Sequence, residues 1–296
     1  MVQNSKQLDR RNKSNDRQLS LYGLTPKVET AIIDAVRKGA AQRVRTLIAP
    51  LHPADQADLL ERIPVGIAAS LIRFLDNDLN AETLTYLNEN TREEVFEVIG
   101  AKAFARQLHN LSTDDAIDII EELEEDALAD VLAALPNEKR VLVEESLSFP
   151  KDSAGRLMQR EIVTVPSFWT VGQTIDFLRS GEIKTADFYL IFVVDPAQKA
   201  LGEVPLSKLL CSQRHCRILE IMEGDFRLIP VKMDQEEVAV LFRRYGMVSA
   251  GVVDLRNRLV GMITIDDVID VIDEEAEEDL MALAGVGGTS LRSSIT

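Results

Sequence analysis

The sequence predicts an α+β multidomain chain, a helical repeat domain followed by a twice-repeated βαβ module. Three observations predict it. Between residues 21 and 149, apolar residues recur at three- and four-residue spacing, as in Ala116-Ile117-Ile119-Ile120-Leu123 and Leu128-Val131-Leu132-Leu135. After Phe149-Pro150 that spacing gives way to short Val- and Ile-rich runs. Within this second half, Val193-Val194-Asp195 and Val252-Val253-Asp254 lie 59 residues apart, and so do Gly202 and Gly261. Two features sharing one offset argue for an internal repeat.

The helical half is punctuated by Pro53, Pro64 and Pro136. Leu87, Leu111 and Leu135 each open a helical segment at 24-residue intervals, and Leu51-His52-Pro53-Ala54-Asp55 opens like Leu111-Ser112-Thr113-Asp114-Asp115. A helix-turn unit of this length cannot bury its apolar face alone. Successive units are therefore expected to stack into a small superhelix, with an irregular bundle as the alternative.

The first βαβ segment runs from the strand Ile162–Pro166 through a helix at Thr174–Leu178 to the strands Tyr189–Asp195 and Leu201–Val204. The second runs from Arg227–Pro230 through a helix at Val238–Phe242 to Gly251–Asp254 and Val260–Thr264. Residues 1–20, rich in Lys, Arg, Asn and Ser, read as a disordered basic arm without the apolar core of a secretory signal.

Composition narrows the function classes. The 296 residues carry a net charge of −16, which repels phosphates and argues against nucleic acid. Such a chain suits cations or basic partners, and plain solubility explains the charge as well. Two cysteines, Cys211 and Cys216, make no disulfide framework. With His215 they supply too few ligands for structural zinc. No run of about 18 apolar residues occurs. No nucleophile motif, Walker-type loop or GxSxG elbow is present, so no enzyme is expected.

The chemistry concentrates at Asp266–Asp279, where Asp266, Asp267, Asp270, Asp273, Glu274, Glu275, Glu277, Glu278 and Asp279 occur without a Lys or Arg. On a helix, Asp267, Asp270 and Glu274 share one face, and Glu275, Glu278 and Asp279 an adjacent one. Like charges at this spacing repel by a few tenths of a kcal/mol per pair. A hard divalent cation that takes oxygen ligands relieves such a field; a solvated helix face or an acidic linker is the other reading. Asp114 and Asp118, four apart with Asp115 between them, share a face near a helix start, where the macrodipole also favours carboxylates. Asp234 precedes an apolar-periodic helix with Glu237 at the capping-box position.

Val-Val-Asp, a polar turn, Leu-Val-Gly-Met-Ile-Thr and then Asp-Asp-Val-Ile resemble a CBS domain, and two in tandem imply one Bateman module over about residues 160–272. Flanking segments narrow the resemblance. Asp152-Ser153-Ala154-Gly155-Arg156-Leu157-Met158, the Leu111–Asp118 segment and Asp273–Asp279 resemble the MgtE family of magnesium channels over roughly residues 30–285. The resemblance implies a right-handed α-superhelical, armadillo-like N domain over 21–150, CBS domains over 151–210 and 211–270, and a connecting helix from 271 toward an absent membrane domain. The chain is then expected to be a homodimer at the cytoplasmic face of the membrane, sensing Mg²⁺ and closing the pore when Mg²⁺ is high.

The ligand set implied by the resemblance is Asp114, Asp118, Asp234, Glu236, Asp267, Asp270, Glu275, Glu278 and Asp279. The chain departs from the family pattern at Tyr245-Gly246, where Tyr-Asp is common, with Arg243 near the lost ligand, and at Gly251, where proline is common. Fewer or weaker ions follow from that loss. CBS pairs also bind adenine nucleotides such as ATP. Thr264 and Asp267 stand at the phosphate and ribose spacing, whereas the first repeat offers Ser207 and Leu210 and lacks the ribose Asp. A soluble nucleotide sensor and an acidic docking scaffold are therefore the rival readings.

Overall fold

The computed structural model describes residues 23–75, 78–181 and 188–283. The expected arm at 1–20 and the chain after 283 lie outside the described residues. The chain divides into two compact units, one of residues up to 111 with 119–135, the other of 112–118 with 136 onward.

The first unit is helical. Helices α1 (Pro26–Arg37), α2 (Ala41–Ile48), α3 (Pro53–Arg62) and α4 (Val65–Leu75) lead through a 3₁₀ turn at Ala81–Leu84 to α5 (Glu89–Asn110). Prolines at the first turns of α1 and α3 cost nothing there, because those N–H groups have no intrahelical partner. Gly100, at φ +74°, breaks α5 into two helical stretches, and Phe96 and Phe104 meet edge-on across the break. Helix α6 (Thr113–Glu121) contributes its last residues, from Ile119, to this unit, followed by α7 (Glu125–Ala134). Helix α1 packs on α2, α4 on α5, and α5 on α7, so each helix is covered by near neighbours in sequence, as stacked units require. Leu87, Leu111 and Leu135 are buried, each just before the next helix.

Arg92 is the polar centre of this unit. Its guanidinium is buried, donates to the carbonyls of Leu84 (3.0 Å) and Leu87 (2.6 Å), and pairs with Glu122. One side chain thereby satisfies carbonyls around the α5 start and anchors the chain beyond α6.

The second unit opens with residues 112–118 and continues with α8 (Asn137–Leu147) and the short α9 (Ala154–Leu157). Two three-stranded sheets follow. The first comprises β1 (Thr164–Pro166), β2 (Leu190–Val194) and β3 (Ala200–Pro205), with α10 (Val171–Leu178) and α11 (Leu206–Cys211). After α12 (Ile218–Ile221), the second comprises β4 (Leu228–Pro230), β5 (Ser249–Val253) and β6 (Leu259–Thr264), with α13 (Gln235–Tyr245). In each sheet a parallel pair is joined to an antiparallel one, and the antiparallel register slips at equivalent places, Val193/Val194 and Val252/Val253.

The two repeats exchange their leading segments. Gln159, ahead of the first sheet, bridges Met262 of β6, and Glu223, ahead of the second, bridges Glu203 of β3. Ser153 bridges Asp234 while Thr170 bridges Arg217. These close approaches explain the paired glycines. A Cβ on Gly202 would stand 2.6 Å from the Glu223 carbonyl oxygen, and one on Gly261 would stand 2.7 Å from that of Gln159.

The expected capping box at Asp234 takes a different form. Asp234 accepts from the Glu236 N–H at 2.9 Å, one residue earlier than the capping-box position. Gly246 has a structural reason to replace an acid. It closes α13 in the left-handed conformation at φ 61°, where a side chain is disfavoured. Helix α14 (Ile265–Leu283) runs unbroken across residue 270, so the end of the second repeat and the expected connecting helix are one element.

Candidate functional site

Within the second unit, the carboxylates of α6 up to Asp118 stand within electrostatic reach of those at the start of α14. Asp114 is buried, and its Oδ1 has no hydrogen-bond partner. Burial foremost, then the charges of Asp267 and Asp115, hold its carboxyl well above the usual range. Asp115 is raised by burial and by Asp266, while Ser112, donating at 2.7 Å, and Lys139 oppose the rise. Asp267 is pushed up to about 7 by burial, then by Asp266 and Asp115, against the hydrogen bonds from Thr264. Asp118 is also pushed up to about 7, by the crowding of protein around it and by Asp114, Asp115, Glu274 and Asp270. Its side chain keeps access to water, which screens part of that effect.

These shifts share one physical cause. Carboxylates are gathered where water is scarce, and each disfavours the ionised form of its neighbours. Cations within electrostatic reach include Lys139, which acts on Asp115, and Arg156, on which Asp118 acts.

A second carboxylate, Glu161, lies beside this group and is fully engaged. It accepts from the Thr113 N–H (3.0 Å), the Thr113 hydroxyl (2.7 Å), the Lys139 ammonium (2.8 Å) and the Arg160 N–H (3.2 Å). Its carboxyl is held below the ordinary value by Lys139 and Thr113, in spite of burial. Glu161 thus supplies from outside the helix the acceptor that the first N–H of α6 needs.

Of the residues expected from sequence, Asp114, Asp118, Asp267 and Asp270 come together here. Glu275 lies one residue beyond Glu274 on α14. Glu278 and Asp279 fall on the same helix, and their side chains lie outside the described residues. Asp234 and Glu236 sit at the start of α13, on another element, where Asp234 is occupied as the cap. Thr264 donates its N–H (3.1 Å) and its hydroxyl (2.7 Å) to one oxygen of Asp267, so that pair closes the turn from β6 into α14. Sequence reasoning missed Lys139, Glu161 and Thr113. A signal existed for Lys139. It lies four residues before Val143 and seven before Ser146, on the buried face of α8.

Among the described residues, no three acidic, His or Cys side chains close into a ready-made metal cage. Mg²⁺ does not require one, because it usually keeps several waters and takes one or two carboxylates directly. The donor set is wholly oxygen, and the orphaned Oδ1 of Asp114 is an acceptor awaiting a cation or a hydrated one. The residues fit a hydrated divalent ion.

The MgtE intracellular N domain family matches residues 51–152, and the CBS domain family matches residues 218–274. The chain belongs to the MgtE family. It is 30% identical over 263 residues to the magnesium transporter MgtE of Thermus thermophilus, covering 88% of this chain and 58% of that protein. It is 28% identical over 257 residues to the magnesium transporter MgtE of Bacillus subtilis, covering 86% of this chain and 57% of the relative. The chain therefore spans under three-fifths of the length of these MgtE relatives. The crystal structure of the cytosolic domain of the Mg²⁺ channel MgtE in complex with ATP is similar at 29% identity and a TM-score of 0.76, covering 82% of this chain and 99% of that one. The soluble part of a magnesium transporter shares the fold at 24% identity and a TM-score of 0.78, covering 84% of this chain and 98% of that one. Among the described residues, no helix is long and apolar enough to cross a membrane.

Proposed function

We propose that this MgtE-family chain is the Mg²⁺-sensing regulatory region of a magnesium channel. The observation that supports the reading best is Asp114, a buried carboxylate with an unpartnered oxygen set against Asp267 and Asp115. A site that gathers acids at such a cost gains most from a divalent cation. Asp114, Asp118, Asp267 and Asp270 would hold hydrated Mg²⁺, with Glu275, Glu278 and Asp279 extending the site along α14. Asp234 and Glu236 would form a separate, weaker position. Mg²⁺ supplies the positive charge that lets these carboxylates ionise together.

The state with α6 docked on α14 is then favoured at high Mg²⁺, because the ion binds that state more tightly than the separated one. Helix α14 would carry the change to a membrane domain beyond residue 296. The chain would act as a homodimer at the cytoplasmic face, closing the pore when Mg²⁺ is high. An adenine nucleotide is a second ligand, favoured by the ATP complex of the 29% identical MgtE structure. Thr264 and Asp267 would contact it, and since Asp267 also serves the cation, nucleotide and Mg²⁺ would be linked.

The test is calorimetric titration of Mg²⁺ into the metal-free chain, with Ca²⁺ as control, alongside thermal unfolding in EDTA and in millimolar Mg²⁺. Saturable Mg²⁺ binding that raises the unfolding temperature, and that Asp114→Asn and Asp267→Asn both weaken, supports the sensor. A thermogram and melting curve indifferent to Mg²⁺ but responsive to ATP would overturn it in favour of a nucleotide sensor.

A further inference from the structure

Lys139 is a buried cation of the second unit, on α8, within electrostatic reach of the acidic site. Its ammonium lies 2.8 Å from Glu161 Oε1 and 3.3 Å from the Thr113 hydroxyl, and the side chain is 5% exposed. A lysine is almost never buried to this degree unless paired. Here the pairing has a destination. Glu161, held by Lys139, receives both the N–H and the hydroxyl of Thr113, the first residue of α6. The residue after Thr113 is Asp114, and the next is Asp115, whose charge Lys139 also feels. Lys139 therefore reaches the acidic helix in three ways, directly at the Thr113 hydroxyl, through Glu161 to the same first turn, and through space to Asp115.

We propose that Lys139 is a positioning residue, a fixed cation that biases residues 112–118 toward their docked place within the second unit without itself completing the docking. The bearing of this on Mg²⁺ rests on the sensor reading above. The contact of Lys139 and Glu161 with the start of α6 offsets part of the metal-free repulsion. The ion then has less to overcome in bringing Asp114 against Asp267.

The prediction is specific about where order is lost. Lys139→Met removes the charge and keeps the length of the stem, taking the ammonium away from Glu161 and Asp115. Hydrogen exchange of the whole chain in EDTA should show the amides of Thr113–Asp118 exchanging at least about tenfold faster than in the parent, while Ile191–Val193 of β2 stay unchanged. Saturating Mg²⁺ should restore protection, whereas NaCl at matched ionic strength should not. The apparent Mg²⁺ affinity should fall about tenfold, the scale expected when a partner supporting the ligands is lost. Lys139→Arg, which keeps the charge, should retain most of the protection. Thr113→Val, which removes only the hydroxyl, should shift the same amides by less, and it serves as the second variant should Lys139→Met fold poorly.

Unchanged exchange at 113–118 in EDTA for both Lys139→Met and Thr113→Val would overturn the proposal. So would a loss of protection spread evenly through β2 and β5, which marks Lys139 as a packing residue alone. If Mg²⁺ leaves the parent protein unaffected but Lys139→Met still frees 113–118 in EDTA, the clamp stands and the sensor reading fails.

Discussion

The Phe192 ring reaches within 3.0 Å of the point where a Cβ on Gly251 would stand. The two residues occupy equivalent positions on the central strands β2 and β5, 59 residues apart. The repeat is thus broken at the place where its halves meet, one side supplying the largest side chain and the other none. Leu259 Cδ1, at 2.8 Å, and Leu228 Cδ2, at 3.2 Å, close the same space. Gly251→Ala should therefore lower stability by about 1–3 kcal/mol through overpacking. Thermal unfolding checks this, and Phe192→Leu in the same chain should recover part of the loss. A Gly251→Ala protein as stable as the parent would show that the ring has room to withdraw.

Arg92 makes a comparable prediction for the helical unit. Its fork serves the Leu84 and Leu87 carbonyls and Glu122 at once. Arg92→Met would leave buried acceptors without donors, at about 1–3 kcal/mol for such a group. Arg92→Lys should also destabilise, since a single ammonium cannot reproduce the planar fork. Denaturant unfolding followed by circular dichroism reads the loss directly, and an undiminished midpoint in Arg92→Lys would show that charge alone suffices.

How far the sequence revealed this molecule depends on the kind of signal. Strands and repeats were legible because β2 and β5, and β3 and β6, keep one offset, and because the Gly202 and Gly261 positions tolerate no side chain. The exchange of leading segments was not. Gln159 with Met262 and Glu203 with Glu223 pair through backbone groups, which any residue type supplies. On the acidic site, Asp114, Asp118, Asp267 and Asp270 could be picked out because their carboxylates cluster in sequence. Glu161 could not, since it stands beside Arg160 and reads as surface until the fold sets it against Thr113; Lys139 left only its spacing with Val143 and Ser146, easily passed over between Glu138 and Arg140. Gly246 looked like a lost ligand, and the left-handed end of α13 gives it a conformational role.

Asp114→Asn separates charge from shape. The amide keeps the size of the side chain and removes the ionised form that burial, Asp267 and Asp115 disfavour. In EDTA at pH 8 the variant should be more stable than the parent, by about 1 kcal/mol or more, since burying a charge costs more than burying a neutral polar group. In saturating Mg²⁺ the order should reverse, because the parent gains the free energy of binding, about 2.7 kcal/mol at one hundred times the dissociation constant. Paired melting curves with and without metal decide it. A variant less stable than the parent in both conditions would mean that Asp114 is structurally satisfied and not poised for a cation.

The same carboxylates set the dependence on pH. Asp267 and Asp118 titrate near 7 in the folded chain, and Asp114 is raised as well, whereas an unfolded Asp titrates near 3.9. A raised folded value means that the native state holds protons the unfolded state has released. The resulting stabilisation is complete below about pH 4 and is lost as pH rises through about 7. The groups facing this cluster include Lys139 and Arg156 as cations and Asp266, Asp270 and Glu274 as anions, so the balance stays acidic across that window. In EDTA, the contribution of Asp267 should therefore decline by about 2 kcal/mol between pH 5 and pH 8, allowing for its partial exposure. Saturating Mg²⁺ should flatten the slope, because a bound cation replaces the protons, and Asp267→Asn should flatten it without metal. Unfolding free energies measured across that range in both buffers provide the check, and a metal-free chain that gains stability from pH 5 to pH 8 in parallel with Asp267→Asn would show that these acids ionise freely.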